Sequence, residues 1–389
     1  MERLRVFWPY ILITISFFFY LLFFHPQVFH YKLPESLIHD YLRSQDIEDP
    51  NGLIRDRVFV SDSDIYIASG YLYAVGVPPS HYNFQHPPLI KYLFGFSTIL
   101  TGNPFYIQII FGLSLLLLTY FLGMKLFRNV LVSLGAVFLL TLDPVFAGMM
   151  NEALLDLGQA FFALGYIVLV FFYPESWVWQ GIALGLFASS KFWSTALIFI
   201  VLVYGYKLLI QKEKINLKKV LRSFIVAFLI FALTYSASFV TSGGSFNLIE
   251  YQGRVLRFML SHNSASSVGG PIILFITGYF APWWKAGVER AGDWSLLWPL
   301  GLTVSIFGII SEFRKKTKNL KLFFYALPLG YLFLTITQFP FTRYFIIILP
   351  FIYLNLTSGA NRVRISPWRM KRKLLNFLKR VLEKKLSRL

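Results

Sequence analysis

The chain has 389 residues, of which 56% are hydrophobic and only 14% are charged, and its mean hydropathy is +0.59. This composition excludes a water-soluble globular domain and is typical of a polytopic membrane protein, so membrane lipid is the first partner that the sequence predicts. The absence of cysteine excludes disulfides, thiolate metal sites and cysteine nucleophiles. The net charge of +18 does not indicate nucleic-acid binding, because the basic residues fall in short segments between apolar runs.

Ten apolar runs are candidate membrane spans, since a hydrocarbon core of roughly 30 Å needs about 20 helical residues. In chain order, the predicted spans are 6–24, 104–124, 130–147, 153–172, 177–190, 192–207, 222–240, 294–311, 321–338 and 342–357. The first is predicted to be a retained span, because its apolar run is long and no small-residue cleavage site follows it. The two short runs that meet at Lys191 are compatible with a tilted or broken pair, and 86–100 is predicted to be a juxtamembrane helix.

The distribution of basic residues orients these spans. With a cytoplasmic N-terminus, the inner segments hold 26 of the 37 Lys and Arg residues but five of the 19 acids. We therefore predict an all-α polytopic bundle, 1–357, with about ten spans and two long outer loops, 25–103 and 241–293. The basic, amphipathic tail, 358–389, is predicted to lie on the cytoplasmic leaflet.

Several ionisable residues converge on the outer face in this topology. Ionisable groups at membrane depth are costly, which makes such residues functional candidates. They are Asp62, Asp64, His86, Glu152, Asp156, Lys191 and Arg343.

Each candidate also has a structural interpretation. Asp62 and Asp64 open a predicted helix, and we expect one of them to cap it and the other, Asp62 by preference, to act in chemistry. Glu152 and Asp156 are expected on one helix face, where they require a cation, a metal or a shared proton; a structural ion pair of Asp156 is an equal alternative. Lys191 lies between SS and FW within an apolar hairpin, which fits an interfacial anchor poorly.

Two further features are ambiguous when taken alone. Arg343, followed by a tyrosine, and the pair Trp283–Trp284 both have the composition of ordinary interfacial anchors. Only their place in the order of motifs along the chain makes them candidates for function.

That order resembles a known family. The chain has an acid early in a long outer loop, HPPL at 86–89, an LD pair opening a span, SSKFW at 189–193, and APWW at 281–284 followed by LWPL and a late RY-to-LP segment. This order is similar to that of GT-C membrane glycosyltransferases of the protein O-mannosyltransferase type, glycosyltransferase family 39, over roughly 1–357.

The resemblance implies transfer of a sugar, mannose in that family, from a polyprenyl-phosphate donor to an acceptor hydroxyl of a protein Ser/Thr, on the outer or lumenal face of a prokaryotic cytoplasmic membrane or the ER. By position, Asp62 matches the catalytic acid, Asp156 the LD acid and Lys191 a residue near the donor phosphate. The family usually has Asp-Glu where this chain has Asp62-Ser63, so Asp64 is a rival base. Its His-Pro-Tyr is absent here, and His262 is the candidate substitute.

Elementary chemistry is consistent with these roles. A carboxylate can take the proton of an acceptor hydroxyl, and fixed cations stabilise a departing phosphate, roles for which Asp62, Lys191 and Arg343 are suited. A single displacement inverts the anomeric carbon. His86, Glu152, His262, Trp283 and Trp284 are predicted to bind substrate.

Other interpretations stay open. The DxD-like Asp62-Ser63-Asp64 is compatible with a divalent metal, but we favour a reaction without cofactor or metal, because two cations already face the phosphate. A transferase acting on a lipid or a cell-wall glycan is an alternative; enzymes that add aminoarabinose to lipid A more often have KPPL in place of HPPL. A transporter should show internal repeats, which the sequence lacks, and a non-catalytic scaffold is the last alternative.

Overall fold

The computed structural model describes residues 2–45, 59–263, 268–282, 286–315 and 319–361, and these are mostly α-helical. In chain order the helices are α1 (Glu2–Phe24), α2 (Gln27–His30), α3 (Leu37–Gln45), α4 (Asp62–Ala74), α5 (Leu89–Thr101), α6 (Phe105–Phe127), α7 (Val130–Thr141), α8 (Pro144–Asn151), α9 (Leu155–Phe172), α10 (Trp177–Ser190), α11 (Trp193–Gly205), α12 (Leu217–Leu233), α13 (Ser236–Thr241), α14 (Leu248–Asn263), α15 (Gly270–Thr277), α16 (Leu297–Arg314), α17 (Leu320–Leu334) and α18 (349–361). Two-residue strands, β1 (Tyr279–Phe280) and β2 (Glu289–Arg290), pair antiparallel. A 3₁₀ helix, Thr342–Ile347, precedes α18.

Four helical segments of the described chain are long and apolar enough to cross a membrane: Phe7–Phe24, Phe105–Phe127, Leu155–Phe172 and Trp193–Gln211. The last is α11 extended by a π-helical turn, so it is longer than the predicted span 192–207. Helices α7 and α8 qualify together as a fifth, although they bend by 55° at the junction. The chain therefore has the all-α polytopic membrane fold that was predicted, whereas the number of ten crossings stays a prediction.

The bend between α7 and α8 is built around a buried aspartate. Asp143 caps α8 by accepting hydrogen bonds from the backbone of Val145 and Phe146. Its other oxygen accepts from the indole of Trp298 at 2.7 Å and from the hydroxyl of Tyr353. A carboxylate with this many donors is satisfied without a cation, and it joins α8 to α16 and α18.

The first predicted outer loop, 25–103, contains four helices in its described parts, 25–45 and 59–103. Helices α4 and α5 pack backbone against backbone, because a Cβ on Gly95 would lie 1.9 Å from the carbonyl oxygen of Gly70. Only glycine permits this approach. The predicted helix at 86–100 is confirmed as α5, and its juxtamembrane position stays a prediction. The close packing holds α4 directly against α5.

Helix α10 ends in the protein interior. It packs closely along α12, where a Cβ on Gly185 would lie 2.7 Å from the carbonyl oxygen of Ala227. The helix stops at Ser190, Lys191 has φ −145° and ψ −67°, and α11 begins at Trp193. The break directs a lysine into the core, where it needs a partner.

Candidate active site

The start of α4 positions the two aspartates differently. Ser61, and neither aspartate, is the N-cap: its hydroxyl oxygen accepts from the backbone N–H of Asp64 and its hydroxyl hydrogen is donated to the Asp64 carboxylate. The expectation that one aspartate caps the helix is therefore wrong, because a serine one residue earlier takes that place. Asp64 is bound within this capping arrangement, and Asp62 faces elsewhere.

Asp62 forms an ion pair with Arg343. The guanidinium Nη2 donates to Oδ2 of Asp62 at 2.5 Å, joining residues 281 positions apart. The Asp62 side chain is 45% exposed and that of Arg343 is 20% exposed. Nε of Arg343 is buried with no hydrogen-bond partner among the described residues, so this cation has unused donor capacity.

Asp156 forms a second ion pair, with Lys191. The ammonium donates to both carboxylate oxygens, at 2.6 and 2.7 Å, and both side chains are buried. The expectation that Glu152 and Asp156 share one helix face is wrong. The backbone of Glu152 is extended, at φ −129° and ψ 133°, and α9 begins only at Leu155. The cation that Asp156 needs is Lys191.

Aromatic rings join the two ion pairs into one pocket. The Lys191 ammonium lies 4.3 Å from the centre of the Tyr344 ring and 5.3 Å from that of Phe192. The Arg343 guanidinium carbon lies 5.8 Å from the Tyr344 ring and 5.0 Å from that of Phe341. The Tyr344 ring therefore lies within contact distance of both cations and brings the two ion pairs together.

His86 faces the same pocket. Its ring packs edge-to-face against Phe192 at 4.8 Å and against Tyr66 at 5.7 Å. Nδ1 is buried and has no hydrogen-bond partner among the described residues. Burial, then the charges of Lys191 and Lys91, hold the pKa of His86 well below its usual value of 6.5, so the imidazole is neutral at physiological pH.

Glu152 is at the exposed rim of the pocket. Partial desolvation, then the charges of Asp62 and Asp293, raise the pKa of its carboxyl, whereas Arg343 acts in the opposite direction. The connector that carries Glu152 is tied to α4, because the N–H of Ala153 donates to the Ser63 hydroxyl at 2.8 Å.

Some pocket residues were missed by sequence reasoning. Asp293 accepts a hydrogen bond from the Thr342 hydroxyl at 2.6 Å. This bond joins the segment before α16 to the segment that carries Arg343. Phe192, Tyr66 and Tyr344 also line the pocket. Phe192 and Tyr344 lie within the SSKFW and RY segments, but aromatic residues are so common in this chain that neither was singled out.

The side chains of three predicted site residues lie outside the part of the chain that the structure describes. Trp283 and Trp284 lie outside the described residues, as does 362–389, most of the predicted tail. His262 lies on the last turn of α14, and its side chain is outside the description.

The carboxylates of the DxD-like segment bind different partners, Arg343 and Ser61. Within the described ranges, no group of three or more His, Asp or Glu side chains is arranged to hold a metal ion. The two ion pairs supply two carboxylates and two cations, with Glu152 and Asp293 close by, and this combination suits proton transfer and anion binding. The metal-free reaction stays a prediction.

An apolar cavity of about 570 Å³ adjoins the break at Lys191. Its walls come from α10, α11, α12 and α14, and Ala188 and Trp193 place it on both sides of the break. Gln252 is the one polar side chain among the residues that line it, so an apolar chain is the ligand it suits.

The fold and the pocket define a polytopic membrane protein with two carboxylate–cation pairs, one of them buried, beside an apolar cavity. No protein-family model and no curated protein sequence matches the chain. Among solved structures, the apo state of ArnT from Cupriavidus metallidurans is 15% identical, with a TM-score of 0.53 over 82% of this chain and 58% of that chain. The structure of ArnT bound to undecaprenyl phosphate is 14% identical, with a TM-score of 0.55 over 84% and 59%. This similarity establishes a shared GT-C fold, and the chain spans under 60% of the length of those proteins.

Proposed function

We propose that this chain is a membrane glycosyltransferase that moves a sugar from a polyprenyl-phosphate donor to an acceptor hydroxyl. The observation that carries the proposal is the pocket around Tyr344, where the pairs Asp62–Arg343 and Asp156–Lys191 meet beside an apolar cavity. A lipid-linked sugar phosphate is amphipathic and needs this combination: cations for its phosphate and an apolar volume for its chain. The shared fold with a protein solved in complex with undecaprenyl phosphate supports the same class of donor.

The reaction we propose is a single displacement. Asp62 takes the proton of the acceptor hydroxyl, the acceptor oxygen forms a bond to the anomeric carbon, and the bond from that carbon to the phosphate oxygen breaks. The electron pair of the broken bond stays on polyprenyl phosphate, whose added charge Arg343 and Lys191 stabilise. One displacement inverts the configuration of the anomeric carbon.

The finer assignments follow from the resemblance in sequence order. They are mannose as the sugar, a protein Ser/Thr hydroxyl as the acceptor, and the outer or lumenal face as the place of reaction. A lipid or a cell-wall glycan is the alternative acceptor. His86 and Glu152, at the inner wall and the exposed rim of the pocket, are proposed to contact the sugar or the acceptor.

The test is a transfer assay with purified protein in lipid. Radiolabelled polyprenyl-phosphate mannose, glucose and arabinose are incubated separately with a pool of peptide, lipid and glycan acceptors, and the labelled product is identified. We expect transfer from one donor, which Asp62→Asn and Lys191→Ala abolish in protein that still folds. No transfer from any donor, or full transfer by both variants, would overturn the proposal and favour a transporter or a scaffold.

A further inference from the structure

Lys91 is a buried cation that the proposed reaction does not use. It lies in the first turn of α5, five positions after His86, and its side chain is fully buried. A lysine is rarely buried completely unless a carboxylate neutralises it. Among the described residues, however, no carboxylate pairs with Lys91.

The partners of Lys91 are all neutral acceptors. The ammonium donates to the backbone carbonyl of Asn83 at 2.8 Å, to its side-chain Oδ1 at 3.0 Å and to the carbonyl of His86 at 2.8 Å. The hydroxyl of Tyr73, 3.3 Å away, donates its own hydrogen to the carbonyl of Tyr82 and so can only accept from Lys91. Burial lowers the pKa of Lys91 well below its usual value, but three short contacts to acceptors require three hydrogens, which only the charged ammonium has.

These contacts fix the turn that leads into the pocket. Asn83 has φ +43°, a left-handed conformation that asparagine tolerates better than most residues. The Lys91 ammonium binds the backbone carbonyl and the side-chain oxygen of Asn83, and it also binds the backbone carbonyl of His86. Tyr73 holds the same turn from α4, the helix whose first residue is Asp62.

We propose that Lys91 is a positioning residue of the transfer reaction: its ammonium holds the carbonyl of His86 and thereby fixes where the imidazole ring faces the donor pocket. The proposal rests on the proposed function, because it concerns the same pocket. It assigns to the buried charge a task that a neutral side chain of similar length cannot perform, since methionine offers no donor to any of the three oxygens.

The electrostatics of the turn agree with this role. Burial, then the charges of Lys191 and Lys91, lower the pKa of His86, so the imidazole is kept neutral. A neutral imidazole whose Nδ1 is unpaired can form one hydrogen bond with a bound sugar or acceptor hydroxyl. Lys91 holds the backbone of the residue that carries this nitrogen, through the His86 carbonyl.

The experiment is a double-mutant cycle with a matched control. Transfer is measured for the wild type, Lys91→Met, His86→Gln and the double variant. Lys207→Met is the control, because Lys207 is also largely buried and pairs with Glu213 at 3.3 Å, away from the pocket. We expect kcat/KM to fall about tenfold to hundredfold in Lys91→Met and in His86→Gln, and no further in the double variant. Lys207→Met should retain the wild-type kcat/KM.

Multiplied losses in the double variant, or an unchanged kcat/KM in Lys91→Met, would overturn the proposal. If Lys91→Met does not fold, Asn83→Gly replaces it: glycine accepts the positive φ and removes one of the three acceptors, so a smaller loss of the same kind is expected. Its absence would count equally against the proposal.

A second measurement does not depend on transfer. In protein labelled with ¹⁵N-histidine, the imidazole signal that His86→Gln removes is compared among the variants. We expect Lys91→Met or Asn83→Gly to shift that signal and Lys207→Met to leave it in place. Absence of transfer by the wild type would refute the proposed function, whereas an unshifted signal would refute the role of Lys91.

Discussion

Asp62→Asn is expected to abolish transfer and yet to tighten the binding of polyprenyl phosphate. Asp62 accepts a hydrogen bond from Nη2 of Arg343, the cation that the proposed reaction assigns to the phosphate. A phosphate that binds Arg343 must therefore displace this carboxylate. Asparagine has no charge to displace, so the variant no longer opposes the ligand.

The size of the effect follows from the exposure of the pair. Exposed ion pairs contribute about 0.2–1 kcal/mol, and charged hydrogen bonds about 1.5–3 kcal/mol when they are shielded from water. Because Asp62 is 45% exposed and Arg343 is 20% exposed, we discount the pair to about 1 kcal/mol. Removal of that competition corresponds to a decrease in Kd of about fivefold, since each 1.4 kcal/mol is tenfold. Loss of a general base lowers the rate by roughly a hundredfold to ten-thousandfold.

The assay is equilibrium binding of undecaprenyl phosphate to the protein in nanodiscs, with Asp64→Asn as the matched control. That substitution removes the same charge two residues away, from a carboxylate bound to Ser61 instead of Arg343. We expect tighter binding only in Asp62→Asn, and no such gain when Arg343→Ala is combined with it. Equally tighter binding in both asparagine variants would mean that the effect comes from the change in net charge. Unchanged or weaker binding in Asp62→Asn would refute the competition between Asp62 and the phosphate for Arg343.

Four other outcomes are expected. Ser61→Ala loses the helix cap, which costs about 0.5–2 kcal/mol and lowers the melting temperature but leaves KM unchanged; a changed KM would contradict a capping role. Asp156→Ala leaves Lys191 buried without its partner and lowers the free energy of unfolding by about 3–5 kcal/mol. The double variant Asp156→Leu with Lys191→Met recovers stability but not transfer. Recovered transfer would refute the binding of phosphate by Lys191. The pKa of His86 in the folded protein lies below 6.5, so its contribution to stability is complete above pH 6.5 and is lost as the pH falls. His86→Gln should reduce this decline when the melting temperature is measured at decreasing pH below 6.5. Transfer should persist in excess EDTA, and its loss with rescue by Mg²⁺ or Mn²⁺ would establish a metal requirement.

The helical framework was predictable because it depends on local properties of the sequence. Apolar runs of sufficient length must be helical in a membrane, since every backbone polar group needs a partner within its own segment. The lengths of the runs did not indicate where a helix bends. The bend at Asp143 did have a local signal, because an aspartate N-cap followed by Pro144 ends one helix and begins the next. The contacts of its other oxygen with Trp298 and Tyr353, which are far away in the sequence, had none.

The start of α4 was predictable in a form that the analysis of aspartates overlooked. A serine followed three residues later by an acid, before an apolar run, is the signature of a capping box, and Ser61 and Asp64 have that spacing. The partners of the other acids had no such local signal, because the residues of Asp62–Arg343 and Asp156–Lys191 are 281 and 35 positions apart. Lys91 lies in an apolar helix, where its sequence context is that of an interfacial anchor.

The two ion pairs carry no excess charge and, on the proposed reaction, still support the departure of a phosphate. Asp62, Asp156, Lys191 and Arg343 together carry no net charge. On the proposed reaction, the donor is a phosphodiester with one negative charge, and the departing phosphate gains a second one as the sugar leaves. Asp62 loses its charge in the same step, because it takes the acceptor's proton. One negative charge therefore moves from Asp62 to the phosphate that has replaced it on Arg343, while the summed charge of the ion pairs and the donor stays constant and no ion has to enter from solvent.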